Sequence, residues 1–331
     1  MIFVTGGNGF LGSHLLIELC KMGKEVRALK RNSSDIDFVR RLFSFYNKES
    51  LFDGIEWVDG DILDFSSLRD AMQTADQVYH CAAIVSFSGK YSKRMLHTNV
   101  HGTENVVNAA IETGVKKIIH VSSIAALGNN EMISEETKWD RKENHSFYAK
   151  SKYLSELELY RGIAEGLEAL IVRPSVIIGP WKPTSGIGKM FGQVEKGLTY
   201  YTKGGSGFVD VRDVANTMIL LMESSVKNDN FILSSENLGY RELLAMIAGI
   251  LQKPVPSKCA NTFQLEMAWR LFALNDFITN KDSGFNKSTA AISQSVSKYS
   301  NKKLLDTLSF QYFSIKESLA NCNKFYQYLS V

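Results

Sequence analysis

The chain has 331 residues and a formal net charge of +3, which is small for this length. The length allows one large or two modest domains with an ample core, and so small a charge gives no reason to expect a nucleic-acid partner. The four cysteines show neither a CxxC pair nor metal-ligand spacing. No metal site is therefore expected, and the cysteine usage suits a reducing, cytoplasmic compartment.

A glycine-rich turn follows the first predicted strand at 2–5 and precedes a predicted helix. Gly6, Gly9 and Gly12 are spaced three apart in this turn. Glycine permits the tight turn and the close approach of a pyrophosphate, and the helix N-terminus offers unpaired N–H groups to the anion. The pattern predicts a dinucleotide-binding turn. The alternative is an ordinary glycine turn between a strand and a helix.

Apolar strand-like runs alternate with helical patterns through the first half of the chain. This alternation predicts an α/β fold with a Rossmann-type, doubly wound parallel sheet. The main predicted helices cover 98–113 and 147–165. The predicted strands are 2–5, 25–29, 55–59, 77–81, 117–122 and 169–173.

The texture changes after Pro174, where glycine- and proline-rich loops separate shorter helices. We expect a nucleotide-binding domain at 1–178 with a re-entry at 208–235, and a smaller α+β substrate-capping domain from 179–207 and 236–331. The first strand begins at residue 2, which leaves no room for a cleaved signal peptide. No apolar run reaches the roughly 18 residues of a membrane span, so no membrane partner is expected. The apolar segment 263–274 is interpreted as a packed or lid helix rather than a membrane-surface one.

Tyr148 and Lys152 are four residues apart on a predicted helix, so both face the same side. A tyrosine of ordinary pKa is a poor acid–base group at neutral pH, and a nearby ammonium favours its phenolate form. Ser122 and Ser123 end a predicted strand, where doubly wound sheets bind ligands. A hydroxyl there can hold a substrate oxygen while Tyr148 moves its proton. Taken alone, a Tyr/Lys pair at this spacing is usually just part of an exposed helix face.

Together these motifs resemble the extended short-chain dehydrogenase/reductases, the NAD-dependent epimerase/dehydratase family. The pattern is closest to dihydroflavonol 4-reductase-like and 3β-hydroxysteroid dehydrogenase-like members. The resemblance covers nearly the whole chain and follows the family's order. It is carried by residues 5–12, 60–64, 80–83, 99–105, 121–123, 148–152, 173–175 and 208–215.

The resemblance implies roles for individual residues. Tyr148 would be the catalytic acid–base, and Lys152 would bind the nicotinamide ribose and lower the pKa of Tyr148. Ser123 would polarise the substrate, with Ser122 as the alternative, and Asn99 would support the sheet. The implied cofactor contacts are Gly6, Gly9, Phe10, Leu11, Gly12, Lys30, Arg31, Asp61, Ile62, Ala82, Ala83, Lys152 and Pro174.

The second predicted strand ends at Lys30 and Arg31, where NAD-specific members often carry an acidic residue. Arginine binds a phosphate bidentately, so the pair favours NADP(H), with NAD as the alternative. Arg31 could equally be a solvated surface charge.

Two departures from the family's sequence pattern reduce the number of reactions that fit this chain. Ile124 and Ala125 follow Ser123 and cannot transfer protons, which argues against a dehydratase. Ser206 and Gly207 precede Phe208 where nucleotide-sugar epimerases usually carry an arginine. The substrate pocket is expected to be apolar and aromatic, with some members belonging to the ordinary core instead. The candidate lining residues are Val85, Phe87, Trp181, Met190, Phe191 and Tyr201.

The leading hypothesis is an NADP(H)-dependent oxidoreductase that interconverts a carbonyl and a secondary alcohol on a largely apolar small molecule. One alternative is a nucleotide-sugar epimerase working through a transient keto form, and another is a non-catalytic dinucleotide sensor. The helices at 98–113 and 147–165 form the dimer-making bundle in many relatives. A homodimer is therefore expected, with apolar surface from Leu154, Leu157, Leu159 and Ile163.

Overall fold

The apolar runs of the chain form strands that are mostly short. The structure is a computed structural model and describes residues 1–86, 89–128, 130–143, 145–279 and 284–330. Within these residues the strands, numbered β1 to β14 in chain order, are Ile2–Thr5, Val26–Lys30, Glu56–Asp59, Gln77–His80, Lys117–Val121, Met132–Ile133, Glu168–Pro174, Val176–Ile178, Tyr200–Tyr201, Gly205–Asp210, Asp229–Leu233, Glu236–Gly239, Lys258–Cys259 and Lys298–Tyr299.

Helices connect most of these strands. Short 3₁₀ turns also occur at Gly89–Tyr91 and Ile124–Ala126. Over the same described residues the α-helices, numbered α1 to α13, are Phe10–Lys21, Asp37–Phe45, Glu49–Phe52, Phe65–Met72, Ser92–Glu112, Phe147–Ala164, Gly186–Glu195, Val211–Glu223, Tyr240–Leu251, Thr262–Thr279, Lys287–Ile292, Lys302–Thr307 and Ile315–Leu329.

Seven strands form the main sheet, in the order β3-β2-β1-β4-β5-β7-β11, and all neighbouring pairs are parallel. The chain builds outward from β1 in one direction and then, from β4, in the other. A crevice therefore opens at the carboxyl ends of β1 and β4, which is where such sheets bind ligands. The predicted Rossmann-type sheet is confirmed.

Helices cover both faces of this sheet, because its strands are buried on both sides. On one face, Leu15 and Leu16 of α1 pack in a cluster with Met218 of α8. On the other face, Val106 and Val107 of α5 pack in a second cluster with neighbouring helices and strands. The second of these layers, which includes Leu159 of α6, holds the helix that carries Tyr148 against the sheet.

The second half of the chain builds a smaller α+β unit around its own apolar cluster. Its three-stranded sheet has the order β12-β10-β8, and Phe208 of β10 packs in that cluster with Leu243 of α9. The two units are fastened together at the C-terminus, where Phe325 of α13 meets the rings of Phe38 and Phe45.

The helix α5 is longer than the sequence predicts. It begins at Ser92, whereas the apolar spacing predicts a start at 98. Residues 92–97 carry two apolar side chains among polar ones, so their periodicity is weak. Met95 is nevertheless fully buried, which explains why packing extends the helix. None of the described helices combines the length and hydropathy that crossing a membrane requires.

Candidate active site

The turn after β1 can be built only from glycines at its two tightest points. Gly6 has φ +71°, and a Cβ there would lie 2.7 Å from the backbone nitrogen of Ala82. A Cβ on Gly12 would lie 2.1 Å from the carbonyl oxygen of Gly6. The N–H of Gly9 donates to that same oxygen over 2.9 Å. The turn therefore folds back against the end of β4 with a bare backbone facing the crevice.

The N-terminus of α1 is left open to an anion. Its N-cap is Gly9, and no side chain accepts a hydrogen bond from the first turn. The first residue, Phe10, directs its ring away to His14 and Trp181, with centroid distances of 5.5 and 5.8 Å. The unpaired N–H groups of the first turn are those that bind a pyrophosphate in dinucleotide folds, so these residues fit such a cofactor.

A cleft of about 720 Å³ lies beside the ends of β2 and β3. Lys30 is paired with Asp59 over 2.5 Å at its rim. The Arg31 side chain is exposed and has no ion-pair or hydrogen-bond partner in the described part of the chain. The residues that line the cleft are Arg31, Asn32, Ser33, Asp59, Gly60, Asp61, Asp64 and Ser67. The position fits the adenosine half of a dinucleotide, next to the predicted contacts Asp61 and Ile62.

A chain of buried hydrogen bonds joins β1, β4 and α5. The Thr103 hydroxyl donates to the carbonyl oxygen of Asn99 over 2.7 Å, so it accepts from Nε2 of His80 over 3.0 Å. Nδ1 of His80 then accepts from the Thr5 hydroxyl over 2.7 Å. Burial lowers the pKa of His80 to about 3, which keeps the ring neutral in this role. These bonds fix the strand ends from which Ala82 and Ala83 follow.

Asn99 is a structural residue. Its side-chain oxygen accepts from the N–H of Ile84 over 2.8 Å, and its amide donates to the carbonyl of Ile84 over 2.9 Å. It also donates to the Ser151 hydroxyl over 3.0 Å. The amide thus clamps the loop after β4 to α6, in keeping with the supporting role that the resemblance implies.

The first turn of α6 carries Tyr148. Ser146 caps this helix by accepting from the N–H of Ala149 over 3.1 Å. The Tyr148 side chain is buried and its hydroxyl forms a hydrogen bond with Ser123, at the end of β5. Burial raises the pKa of Tyr148, and the Ser123 hydrogen bond partly offsets that rise. The tertiary structure thus brings together the two residues that the sequence places 25 apart.

Lys152 lies one turn further along α6 and is 4% exposed. Its ammonium donates to the carbonyl oxygen of Val121 over 2.8 Å. Burial lowers the pKa of Lys152 to about 8. Here the structure differs from the expectation that Lys152 lowers the pKa of Tyr148. Desolvation is the largest contribution to the pKa shift of both groups. It raises the pKa of Tyr148 and lowers the pKa of Lys152, so in each case the shift is toward the neutral form.

Ser122 and Ser123 point to different partners. The Ser122 hydroxyl donates to Oε1 of Glu156 over 2.5 Å, beneath the site. The same carboxylate holds Arg173 in a buried ion pair. The Ser122 hydroxyl is therefore used in a structural hydrogen bond to α6, whereas Ser123 lies beside Tyr148 in the crevice. Sequence reasoning missed Glu156, although its position four residues after Lys152 places it on the same helix face.

His120 is a second residue that sequence reasoning missed. It is 1% exposed on β5, and neither ring nitrogen has a hydrogen-bond partner among the described residues. Its ring lies 5.0 Å from that of His80. Burial, with His80 and Lys152 nearby, lowers the pKa of His120 well below its usual value. Two neutral imidazoles therefore lie side by side on the neighbouring strands β4 and β5, near Lys152.

The predicted pocket residues fall in separate places. Trp181 packs against Phe10 and Phe38, beside the glycine turn. Phe191 is buried in the core of the capping unit, where it meets Tyr326, and Met190 and Tyr201 border the same cluster. These three residues match the alternative that some candidates belong to the ordinary core, because the smaller α+β unit has a hydrophobic core of its own. The other two are Val85, which is 63% exposed after β4, and Phe87, which lies outside the described residues. Pro174, a predicted cofactor contact, is buried at the end of β7.

Comparison with known proteins agrees with this geometry. The model of the NAD dependent epimerase/dehydratase family matches residues 2–233. The chain is 31% identical over 277 residues to a provisionally named dihydroflavonol 4-reductase of Synechocystis sp., covering 81% of this chain and 77% of that protein. It is 28% identical over 278 residues to cinnamoyl-CoA reductase 1 of Petunia hybrida, covering 79% and 80%. The crystal structure of gox2253 superimposes with a TM-score of 0.84 and 27% identity, covering 99% of this chain and 98% of that one.

Proposed function

Because the chain belongs to the NAD-dependent epimerase/dehydratase family and is an NAD(P)-dependent oxidoreductase of the extended short-chain dehydrogenase/reductase type, we propose that it interconverts a carbonyl and a secondary alcohol on a largely apolar small molecule. The observation that carries this proposal is the hydrogen bond between Ser123 and Tyr148 at the sheet's ligand-binding edge. Lys152 lies on the same helix, one turn away.

The protein's own groups account for the proton in this reaction. When bound, the nicotinamide supplies the hydride in the reducing direction. Ser123 donates a hydrogen bond to the substrate oxygen, and Tyr148 gives that oxygen its phenolic proton. The raised pKa of Tyr148 keeps the phenol protonated and ready to act as an acid. Lys152 is held by the Val121 carbonyl, at the position where it would bind the nicotinamide ribose.

The charge around the adenosine cleft supports NADP(H) as the cofactor. Lys30 neutralises Asp59, so the carboxylate at the end of β3 does not repel an added phosphate. The Arg31 guanidinium has no ion-pair or hydrogen-bond partner in the described part of the chain and can bind a 2′-phosphate bidentately. Asp61 and Asp64 accept backbone N–H bonds from their own turn.

The residues after Ser123 favour a simple redox reaction. Ile124 and Ala125 begin a 3₁₀ turn that Ser123 caps, so neither carries an acid or base to the substrate. A nucleotide-sugar epimerase would retain oxidised cofactor through its cycle, and a sensor would turn over nothing. The spectrum of the purified protein at nicotinamide wavelengths, with and without added NADPH, distinguishes these alternatives.

The substitution Tyr148→Phe tests the proposal directly. It removes the proton donor without changing the ring, so kcat in a ketone and aldehyde screen should fall by about 10²–10⁴-fold. Affinity for NADPH, measured by fluorescence titration, should stay within about twofold. Tyr153→Phe is the matched control, because Tyr153 lies on the same helix but stacks on Trp139. Turnover by Tyr148→Phe at the wild-type rate would contradict the assignment.

We also propose a homodimer in a reducing, cytosolic compartment. Leu154 and Leu157 of α6 are 39% and 40% exposed, whereas Leu159 is buried in the sheet-facing layer. Pairing of α5 and α6 with those of a second copy would cover the exposed leucines. Sedimentation equilibrium at micromolar concentration tests the dimer. The four cysteines, all free, support the compartment.

A further inference from the structure

The helix α10 exposes an apolar stripe that nothing in the described residues covers. Phe263 is 73% exposed, Met267 45%, Leu271 61% and Leu274 56%. Their spacing of four, four and three residues places them on one face of the helix. Packing covers part of another face, where Leu265 is 9% exposed, while Phe272 on that side is 46% exposed and meets Phe285. The expected packed helix is therefore packed on one side only.

The elements that border α10 extend this apolar surface. The strand β13 leads into α10 and pairs with β9. The helix α11 packs against α10. The segment after α11 hydrogen-bonds to the backbone of Gly204 and Gly205. Large apolar side chains on these elements are also exposed, namely Tyr200, Val255, Ile292 and Val296. A concentration of exposed apolar side chains on neighbouring elements is typical of a contact with another molecule or a membrane.

The same elements carry lysines and lack carboxylates. Residues 199–205, 252–265 and 284–300 contain no aspartate or glutamate. Their exposed lysines, none with a carboxylate partner among the described residues, are Lys203, Lys253, Lys258, Lys287 and Lys298. Arg270 of α10 is paired with Glu266 over 2.7 Å. Asp276 is a further carboxylate on α10, so the uncompensated positive charge lies on the bordering segments and not on α10 itself.

We propose that this surface, the α10 stripe with its bordering lysines, lies on an anionic phospholipid membrane. Apolar side chains that enter the acyl boundary and lysines that face lipid phosphates are the two components of interfacial binding. Contact through a second copy of the same face would bring these lysines against one another, which disfavours a symmetric dimer here. The expectation of no membrane partner rests on the lack of a spanning segment and on the interpretation of 263–274 as a packed or lid helix. A helix lying on the membrane surface needs no span, and the exposed side chains of α10 argue against a fully packed helix. The inference is independent of the reaction proposed above.

Co-sedimentation with lipid vesicles tests the inference on the full chain. Vesicles of phosphatidylcholine with about one third phosphatidylglycerol should bind the protein at low salt, and binding should weaken as ionic strength rises. Vesicles of phosphatidylcholine alone should bind at least tenfold more weakly. The double variant Phe263→Ser/Leu271→Ser should lower the partition coefficient at least tenfold.

Matched variants separate this surface from nonspecific effects. Leu220→Ser/Leu305→Ser changes two leucines, each 41% exposed on α8 and α12, and should leave vesicle binding unchanged. The triple variant Lys203→Gln/Lys253→Gln/Lys298→Gln should lower binding by about fivefold per lysine. The control triple Lys93→Gln/Lys142→Gln/Lys316→Gln changes exposed lysines elsewhere and should have little effect.

Three results would overturn the inference. The first is failure to bind the mixed vesicles, which would leave a protein as the occupant of the surface. The second is equal binding to both kinds of vesicle. The third is self-association of the wild type that Phe263→Ser/Leu271→Ser abolishes in sedimentation velocity, which would assign the surface to a second copy. NADPH affinity measured on every variant confirms folding, because the glycine turn lies in the other unit.

Discussion

Glu156 and Arg173 form a bidentate ion pair beneath the candidate active site. The guanidinium Nε lies 2.8 Å from Oε1 and Nη2 lies 2.7 Å from Oε2, and both side chains are almost fully buried. Glu156 is one turn beyond Lys152 on α6, and Arg173 lies on β7. The pair therefore ties the helix that carries Tyr148 to the main sheet, and Ser122 completes it by donating to the same carboxylate.

Removing the arginine should destabilise the protein strongly. Arg173→Met leaves the Glu156 carboxylate buried without its cation, which costs about 3–5 kcal/mol of the free energy of unfolding. Urea unfolding followed by circular dichroism measures the loss. Arg40→Met is the control, because Arg40 pairs with Asp53 at the surface, where solvent screening leaves an ion pair with little effect on stability. If both variants lost similar free energies of unfolding, the buried ion pair would contribute no more to stability than the surface pair.

The two adjacent serines should separate catalysis from stability. Ser123→Ala removes the hydroxyl that holds the substrate oxygen, so kcat/KM should fall by about 10²–10³-fold. Ser122→Ala removes a donor to Glu156, so it should cost about 1–3 kcal/mol of stability and leave kcat nearly unchanged. Steady-state kinetics and thermal unfolding of both variants provide the comparison. Reversed effects would assign the substrate to Ser122.

Cofactor preference should depend on Arg31 more than on Lys30. Arg31→Gln removes a charge that is free to meet a 2′-phosphate, so KM for NADPH should rise by about 10–100-fold while KM for NADH stays constant. Lys30→Gln should have a smaller effect, because that ammonium already binds Asp59. Kinetics with both cofactors measure the two ratios. Equal changes for NADPH and NADH would remove the case for a phosphate contact.

Cofactor affinity should fall as pH rises through the pKa of Lys152. Burial lowers that pKa from 10.5 to about 8, so the ammonium that would bind the ribose is lost near pH 8 rather than near pH 10. Fluorescence titration of NADPH between about pH 7 and pH 9 should show weaker binding at the alkaline end. In Lys152→Met the same titration should be flat with pH, since the titrating group is gone. An unchanged slope in that variant would place the titration elsewhere.

Much of the fold and part of the site are predictable from the sequence. The alternation of apolar runs predicts the parallel sheet, because strand and helix periodicities are local properties of the chain. Gly6 and Gly12 predict the nucleotide turn, since no other residue fits backbone approaches of 2.7 and 2.1 Å. The order of the motifs identifies the family, and the family model confirms it. The domain boundaries and the roles of individual site residues stay predictions.

Other properties were decided by the tertiary structure alone, because they depend on groups distant in the chain. The resemblance favours Ser123 but leaves Ser122 as the alternative, and only the tertiary structure shows that the Ser122 hydroxyl donates to Glu156, 34 residues away. The direction of the pKa of Tyr148 follows from burial, which outweighs the effect expected from a nearby ammonium. The exposure of the α10 stripe likewise depends on which side of the helix its neighbours pack against. The sequence by itself determined the sheet and the glycine turn and predicted Tyr148 and Lys152 as catalytic residues, whereas desolvation and long-range partners set the pKa values of these two groups.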